Sequence, residues 1–249
     1  MPQKKDRSGY ISIVGKTNVG KSTLLNEILG QKVSITSRKP QTTRHRLLGI
    51  KTIKDSQMIF IDTPGFHNDH KRALNKYMNK VASSAMKSVD VLVYVIEGLN
   101  WTEEDQERMN QIPESYETSI LVINKIDKIN QKDDMLPFIG TMSELNKFSD
   151  IIPISALKKQ NIPALMDSIL LKLPEGDHIY PADQVADISE RFLASEIIRE
   201  KCITRVGDEF PYRITVSIEK YKEESRITYI DANLYVEKNS QKGMLIGSS

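Results

Sequence analysis

Cysteine is nearly absent from this chain of 249 residues. Cys202 stands alone, which excludes an internal disulfide framework and leaves its thiol as a small apolar filler. Tryptophan is as scarce: Trp101 is the only one, and it lies near an expected helix start, where it reads as a packing residue. No apolar run approaches the ~18 residues needed to span a bilayer. The N-terminus, Met1-Pro2-Gln3-Lys4-Lys5-Asp6-Arg7, has no apolar signal core and runs straight into an apolar strand. A cytoplasmic protein is therefore expected. Metal-ligand clusters, paired catalytic carboxylates and nucleophile–base constellations are also missing, which argues against a metabolic hydrolase with a second substrate pocket.

What is present is an ordinary globular balance, 39% hydrophobic and 27% charged, with net charge +2. That small net value hides an asymmetry. Residues 1–60 carry twelve Lys/Arg against three Asp/Glu, residues 61–186 thirteen against nineteen, and residues 187–249 ten against eleven. The basic region coincides with the most specific motif in the chain. Gly15-Lys16-Thr17-Asn18-Val19-Gly20-Lys21-Ser22 is a complete G-x-x-x-x-G-K-[ST] phosphate loop. It follows the apolar run Tyr10–Val14 and precedes the helix-like Ser22-Thr23-Leu24-Leu25-Asn26-Glu27-Ile28-Leu29. A strand must end and a helix must begin there, so backbone N–H groups and the positive end of a helix dipole converge on one anion. The expected ligand is a nucleoside triphosphate, held by residues 15–23.

Two further motifs follow in the order such a site requires. Asp62-Thr63-Pro64-Gly65 closes the apolar run Met58–Ile61. There Asp62 suits a Mg²⁺-bound water and the Gly65 amide suits a γ-phosphate. Asn124-Lys125-Ile126-Asp127 closes the run Ile120–Ile123. The Asp127 carboxylate can accept from guanine N1–H and the exocyclic amine, whereas adenine would leave it unpaired. The stem of Lys125 can cover the base plane. Ser155-Ala156-Leu157 is a weaker signal that suits an amide donor to the guanine oxygen. The base is read as guanine.

Strands are expected at 10–14, 46–53, 57–62, 91–96, 119–124 and 151–154, and helices near 21–29, 74–87, 102–111, 133–146 and 162–172. Such alternation gives an α/β fold with helices on both faces of a mostly parallel sheet. The connection between 46–53 and 57–62 is too short for a crossover, so that pair must be antiparallel and the six-stranded sheet mixed. Residues 174–186, with Pro174, Gly176 and Pro181, read as a linker. A second unit begins at Asp187-Ile188-Ser189-Glu190, which has capping-box spacing from Asp187 to Glu190. Two strand-like segments, Tyr212–Ile218 and Ile227–Val236, follow its helix.

These motifs resemble the Ras-like GTPase superfamily over residues 8 to about 172. Within it, Gly30-Gln31-Lys32-Val33-Ser34-Ile35-Thr36 through Arg38-Lys39-Pro40-Gln41-Thr42-Thr43-Arg44-His45-Arg46 is similar to the first switch of the Era family of bacterial ribosome-assembly GTPases. Arg191-Phe192-Leu193-Ala194-Ser195-Glu196-Ile197-Ile198-Arg199-Glu200-Lys201 is similar to the opening of that family's C-terminal domain. The resemblance implies a Ras-like GTPase domain at 1–173, followed by a partial α+β KH-type RNA-binding domain at 187–249. It also implies a GTP/GDP cycle with Mg²⁺.

In that chemistry Lys21 supplies a point charge to the β- and γ-phosphates and Ser22 puts its hydroxyl on Mg²⁺. The resemblance makes Thr43 the switch threonine that completes the Mg²⁺ shell, with Thr42 as the neighbouring alternative. Lys21, Thr43 and Gly65 are the residues expected to act at the γ-phosphate. Phe66 stands where Ras-like proteins place a water-orienting glutamine, so slow intrinsic hydrolysis is expected, with a cation or partner supplying the missing stabilisation. His67 and His70 read as exposed loop histidines. Asn18 either holds K⁺ against the phosphates, as in related GTPases with this asparagine, or only shapes the loop.

The segment Gln241-Lys242-Gly243-Met244-Leu245-Ile246-Gly247 resembles the approach to a KH G-x-x-G loop, which clamps about four nucleotides through backbone contacts. Gly247 takes the place of the first glycine and the second is missing, so a truncated domain with weakened RNA affinity is expected. The implied partners are 16S rRNA and the 30S ribosomal subunit, with nucleotide state setting association. A regulatory switch acting on a protein or at the membrane periphery is the competing reading, favoured by the near-neutral charge of 187–249. A monomer is expected.

Overall fold

The computed structural model describes residues 6–36, 47–62, 89–110, 118–205, 214–237 and 239–246. The expected helix near 74–87 lies outside them, as do Thr42, Thr43, Thr63 to His70 and Gly247. Among the described residues six strands form one sheet: β1 (Arg7–Val14), β2 (Leu47–Ile53), β3 (Ser56–Asp62), β4 (Val91–Glu97), β5 (Ser119–Asn124) and β6 (Asp150–Pro153). Their spatial order is β2-β3-β1-β4-β5-β6. Only β2 and β3 run antiparallel; the two-residue turn Lys54-Asp55, with Lys54 at φ 52°, leaves no room for a crossover. Every other pairing is parallel. The chain leaves β1 for one side of the sheet and later returns to its other side at β4. The crevice beyond the C-terminal end of β1 is thus a topological switch point, where open α/β sheets bind ligands.

The period-2 alternation of β4 divides the core. Val91, Val93 and Val95 join one buried cluster with Leu24, Leu25 and Ile28 of α1 (Lys21–Leu29) and Leu165 and Ile169 of α4 (Ile162–Lys172). Leu92, Tyr94 and Ile96 join another with Met109 of α2 (Glu103–Asn110) and Met142 of α3 (Met135–Glu144). Both faces of the central strands are covered, so they read as unbroken apolar runs rather than as alternating ones. Trp101 packs in the second cluster, its ring edge-on to Phe148 at a centroid distance of 6.1 Å.

Residues 174–187 do not hang free between two units. Ser8 N–H donates to Pro174 O at 3.1 Å, and Gly176 N–H donates to Asp6 O at 3.0 Å. Fully buried Gln57 accepts the N–H groups of Ile179 and Tyr180 at 2.9 and 2.8 Å and donates to Tyr180 O at 2.9 Å. Ile50 N–H then donates to Val185 O at 2.7 Å and Asp187 N–H to Leu48 O at 3.1 Å. The segment therefore acts as a strap that covers the exposed edge of β2.

Those bonds also correct the expected start of the next helix. Asp187 belongs to the strap; α5 (Glu190–Arg205) is capped instead by Ser189, whose Oγ accepts from Phe192 N–H at 3.2 Å. An antiparallel hairpin of β7 (Ile214–Glu223) and β8 (Thr228–Val236) follows, with a register shift between Ile218 and Lys220, and then α6 (Asn239–Ile246). Among the described residues no helix is long and apolar enough to cross a membrane.

Candidate nucleotide site

The loop from Gly15 to Gly20 leaves β1 in backbone conformations that demand glycine at both ends. Gly15 has φ 144°, and a Cβ there would stand 2.2 Å from Val95 O. Gly20 has φ 103°, and its Cβ would stand 2.3 Å from Asn124 Nδ2. Gly20 is also the N-cap of α1, with no side-chain cap and no acidic residue in the first turn. The helix N-terminus thus keeps backbone donors and positive dipole available to an anion. A side chain at Gly15 would drive the loop off the Val95 carbonyl of β4, so the curl that could cradle a phosphate depends on glycine there.

Lys21 is 7% exposed, and its Nζ donates to the carbonyls of Gly15 at 3.0 Å and Lys16 at 2.6 Å. Its ammonium therefore lies beneath the curl of the loop, where it can meet phosphate oxygens. Lys16, by contrast, sends its side chain away to Asp105, with Nζ to Oδ2 at 2.7 Å. Of that pair only the backbone of Lys16 remains with the loop. Ser22 and Thr23 open α1 beside Lys21. Asp62 ends β3, paired in register with Ile13 of β1, so the strand carrying it runs alongside the strand that feeds the loop.

Asn124, Lys125 and Asp127 converge on the same rim. Asn124 is 2% exposed. Its Nδ2 donates to Val19 O at 2.8 Å, and its Oδ1 accepts from Lys125 N–H at 2.8 Å and Ala156 N–H at 3.0 Å. One side chain thus staples the phosphate loop, the loop after β5 and the loop after β6. Lys125, at φ 64°, reaches across the loop to Asn18 O at 2.7 Å and to Glu97 Oε2 at 2.6 Å. Exposed Asp127 accepts from the Ser155 hydroxyl, which points its carboxylate along the same rim as the Ser155-Ala156-Leu157 turn. A cavity of about 530 Å³ opens beside Lys125, lined by Glu97, Leu99, Lys128 and Asp134 among others. Its lining includes neither the phosphate loop nor Asp127, so it adjoins this rim rather than coinciding with it.

Sequence reasoning missed Glu97, Asp105 and Glu200 as supports of this region. For Asp105 a signal exists: Thr102 to Asp105 has capping-box spacing, and Thr102 N–H does donate to Asp105 Oδ2 at 3.0 Å. Glu97 and Glu200 carry no local signal. Among the described residues no group of three or more His, Cys, Asp or Glu is placed to hold a metal ion.

A mixed sheet in this order, with a glycine-framed phosphate loop at its switch point and Asn124-Lys125-Ile126-Asp127 at the end of β5, defines a Ras-like P-loop GTPase. Residues 10–125 match the family model described as 50S ribosome-binding GTPase. The chain belongs to the Era family of GTPases. It is 48% identical over 241 residues to GTPase Era of Ectopseudomonas mendocina, covering 97% of this chain and 81% of that relative. Identity to GTPase Era of Azotobacter vinelandii is 47% over the same length. The fold superposes with a TM-score of 0.90 on the crystal structure of Era in complex with MgGDPNP and nucleotides 1506–1542 of 16S ribosomal RNA, at 40% identity and covering 97% of this chain and 83% of that one. A TM-score of 0.90 also relates it to an Aquifex aeolicus Era variant bound to GDP and AlF4⁻, at 38% identity. The unit formed by α5, β7, β8 and α6 is accordingly the KH-type part of the fold.

Proposed function

We propose that this GTPase uses the nucleotide cycle to time its stay on 16S rRNA and the 30S subunit during ribosome assembly. The observation that carries the reading is that Thr36 is bonded to α5, and Leu48 and Ile50 to the strap that leads into α5. Thr36 N–H and Oγ1 donate to Glu200 Oε1 at 2.9 and 3.3 Å. At the start of β2, Leu48 and Ile50 are bonded to Asp187 and Val185 of the strap. A γ-phosphate that shifted Thr36 or the start of β2 would therefore bias the unit at 187–249 directly. The relative crystallised with MgGDPNP and nucleotides 1506–1542 of 16S ribosomal RNA supports RNA as the partner.

For the reaction, water attacks the γ-phosphorus, the bond to the β–γ bridging oxygen breaks, and GDP leaves with the electron pair. Gly15 to Ser22 hold the phosphates through backbone N–H groups, and Lys21 offsets the charge that builds on the bridging oxygen. Asp127 and Lys125 select guanine. Ser22, Thr43 and, through a water, Asp62 are the residues that would hold Mg²⁺, which would neutralise charge on the β- and γ-phosphates. Asn18, at φ 65° in the loop, is the ligand we assign to K⁺. Equal hydrolysis in K⁺ and Na⁺, unaffected by Asn18→Asp, removes that assignment.

Co-sedimentation with 30S subunits tests the whole reading. Binding is expected to differ between the GTP-loaded and GDP-loaded states. Failure to bind in both would leave the membrane-peripheral or protein-partner alternative.

A further inference from the structure

Lys16 lies inside the phosphate loop, yet its ammonium is spent elsewhere. Its Nζ donates to Asp105 Oδ2 at 2.7 Å and to Thr102 Oγ1 at the start of α2, with Glu104 Oε2 at 3.9 Å. Asp105 is 2% exposed, and a carboxylate so deeply buried is tolerated only when its lone pairs are met. They are met: Thr102 N–H donates at 3.0 Å, Thr102 Oγ1 at 2.8 Å and the Tyr94 hydroxyl at 3.1 Å. Tyr94 is itself wholly buried, and burial first, then the Asp105 charge, push its phenol well above the usual tyrosine range. It therefore stays a proton donor to Asp105 at every physiological pH.

The other end of the same residue holds Lys21. The Lys16 carbonyl accepts Lys21 Nζ at 2.6 Å. A continuous set of contacts thus runs from the buried acid of α2, through the side chain and then the backbone of Lys16, to the ammonium that faces the phosphates. The anchor lies 89 residues from the loop in sequence and sits on a helix that is not part of the nucleotide site.

We infer that Asp105 is a positioning residue for the phosphate loop: by clamping Lys16 it fixes the carbonyl that presets Lys21 and slows release of bound guanine nucleotide. The inference rests on assigning Gly15 to Ser22 to the phosphates. It goes beyond that assignment by placing control of nucleotide residence in α2.

The test is release of N-methylanthraniloyl-GDP from the full chain. Asp105→Asn and Lys16→Met are each expected to speed release about tenfold, the scale of one lost charge-assisted hydrogen bond. The double variant should be no faster than either single one, because both cut the same link. Lys16→Arg, which keeps the cation, should restore release to near the wild-type rate. Trp101, the only tryptophan, adjoins Thr102 and donates Nε1–H to Gln106 Oε1 of α2 at 3.2 Å. Its emission should change on adding GDP to the wild type and stay flat in Lys16→Met.

Should Asp105→Asn fail to fold, Lys16→Met cuts the link from the solvent side without touching the buried acid. Release within about twofold of wild type in that variant overturns the inference. So does faster release accompanied by a nucleotide-free melting point lowered more than about 5 °C, which would mark general destabilisation. Lys21→Ala separates the two layers. If it binds the fluorescent nucleotide as wild type does, the site assignment itself fails; if it loses binding while Lys16→Met behaves as wild type, only the positioning role fails.

Discussion

The Glu200 carboxylate of α5 accepts the backbone N–H of Thr36 across a separation of 164 residues, at 2.9 Å. Its second oxygen pairs with Lys32. Glu200 is only 5% exposed, so its carboxylate joins the two units as a buried acceptor rather than as half of a surface ion pair. Truncation to Ala would leave Thr36 N–H without its acceptor, at a cost of about 1–3 kcal/mol. Glu200→Gln keeps an acceptor and should lose less than half as much. Urea denaturation of the three proteins checks the ranking, and equal stability of the Ala and Gln variants would contradict it.

The same carboxyl gives stability a pH dependence. Burial alone would raise its pKa, but Lys32 and the Thr36 donors outweigh burial and hold it below the ordinary 4.5. Asp150 behaves alike: burial opposes, and the bonds from Lys172 at 2.6 Å and Ser168 at 2.7 Å hold its carboxyl below the ordinary 3.8. In both, the folded state binds its proton less readily than the unfolded one. The contribution is therefore complete above the ordinary carboxyl range and disappears as pH falls through the lowered folded values. Melting points should hold steady from pH 7 to about 5 and fall below that. In Glu200→Gln the fall should be shallower.

Much of this was legible before any coordinates. Helix α1 matches the expected 21–29 because the phosphate loop fixes where it must begin; Gly20 and Gly30, both with positive φ, bound it in the structure. Helix α4 matches the expected 162–172, and the structure shows Asn161 at its N-cap and Pro163 in its first turn. The start of α5 was misplaced because Asp187 and Ser189 are equally good caps on paper. Leu48 O decides between them by taking Asp187 N–H. That choice depends on β2 being the sheet edge, a fact of topology that no local pattern carries. The stretch with Pro174, Gly176 and Pro181 read as a linker for the same reason, since its partners are Asp6, Ser8, Leu48, Ile50 and Gln57. The motifs expected to hold the nucleotide were placeable because each begins where a strand ends, at Val14, Asp62 and Asn124. Their supports were not, because Lys16 with Asp105 and Thr36 with Glu200 meet only through the fold.

The two loop glycines should differ in severity. A methyl group at Gly15 meets the Val95 carbonyl, which is backbone of the central strand β4 and cannot move aside. A methyl group at Gly20 meets the end of the Asn124 side chain, which can retreat by giving up its bond to Val19 O. Both also force a positive φ on alanine, at about 1–3 kcal/mol. Gly15→Ala is expected to abolish nucleotide binding and to lower the melting point most. Gly20→Ala should fold more stably than Gly15→Ala but bind weakly. Calorimetric titration with GDP, alongside thermal melting, checks the order.

Asn124 and Asp127 stand three residues apart and should fail in opposite ways. Asn124 is buried and satisfies Val19 O, Lys125 N–H and Ala156 N–H, so alanine leaves three main-chain groups without their partner. A loss of about 3 kcal/mol or more in stability is expected, with all nucleotide binding weakened regardless of base. Asp127 is exposed and bonded to the Ser155 hydroxyl, so its removal strands little of the fold. Asp127→Ala should change stability by under about 1 kcal/mol while cutting the preference for GTP over ATP by a factor of about 10² or more. Calorimetry with both nucleotides distinguishes the two residues. If the wild type itself binds ATP and GTP equally, or if Asp127→Ala retains the full preference, base selection does not reside in that carboxylate.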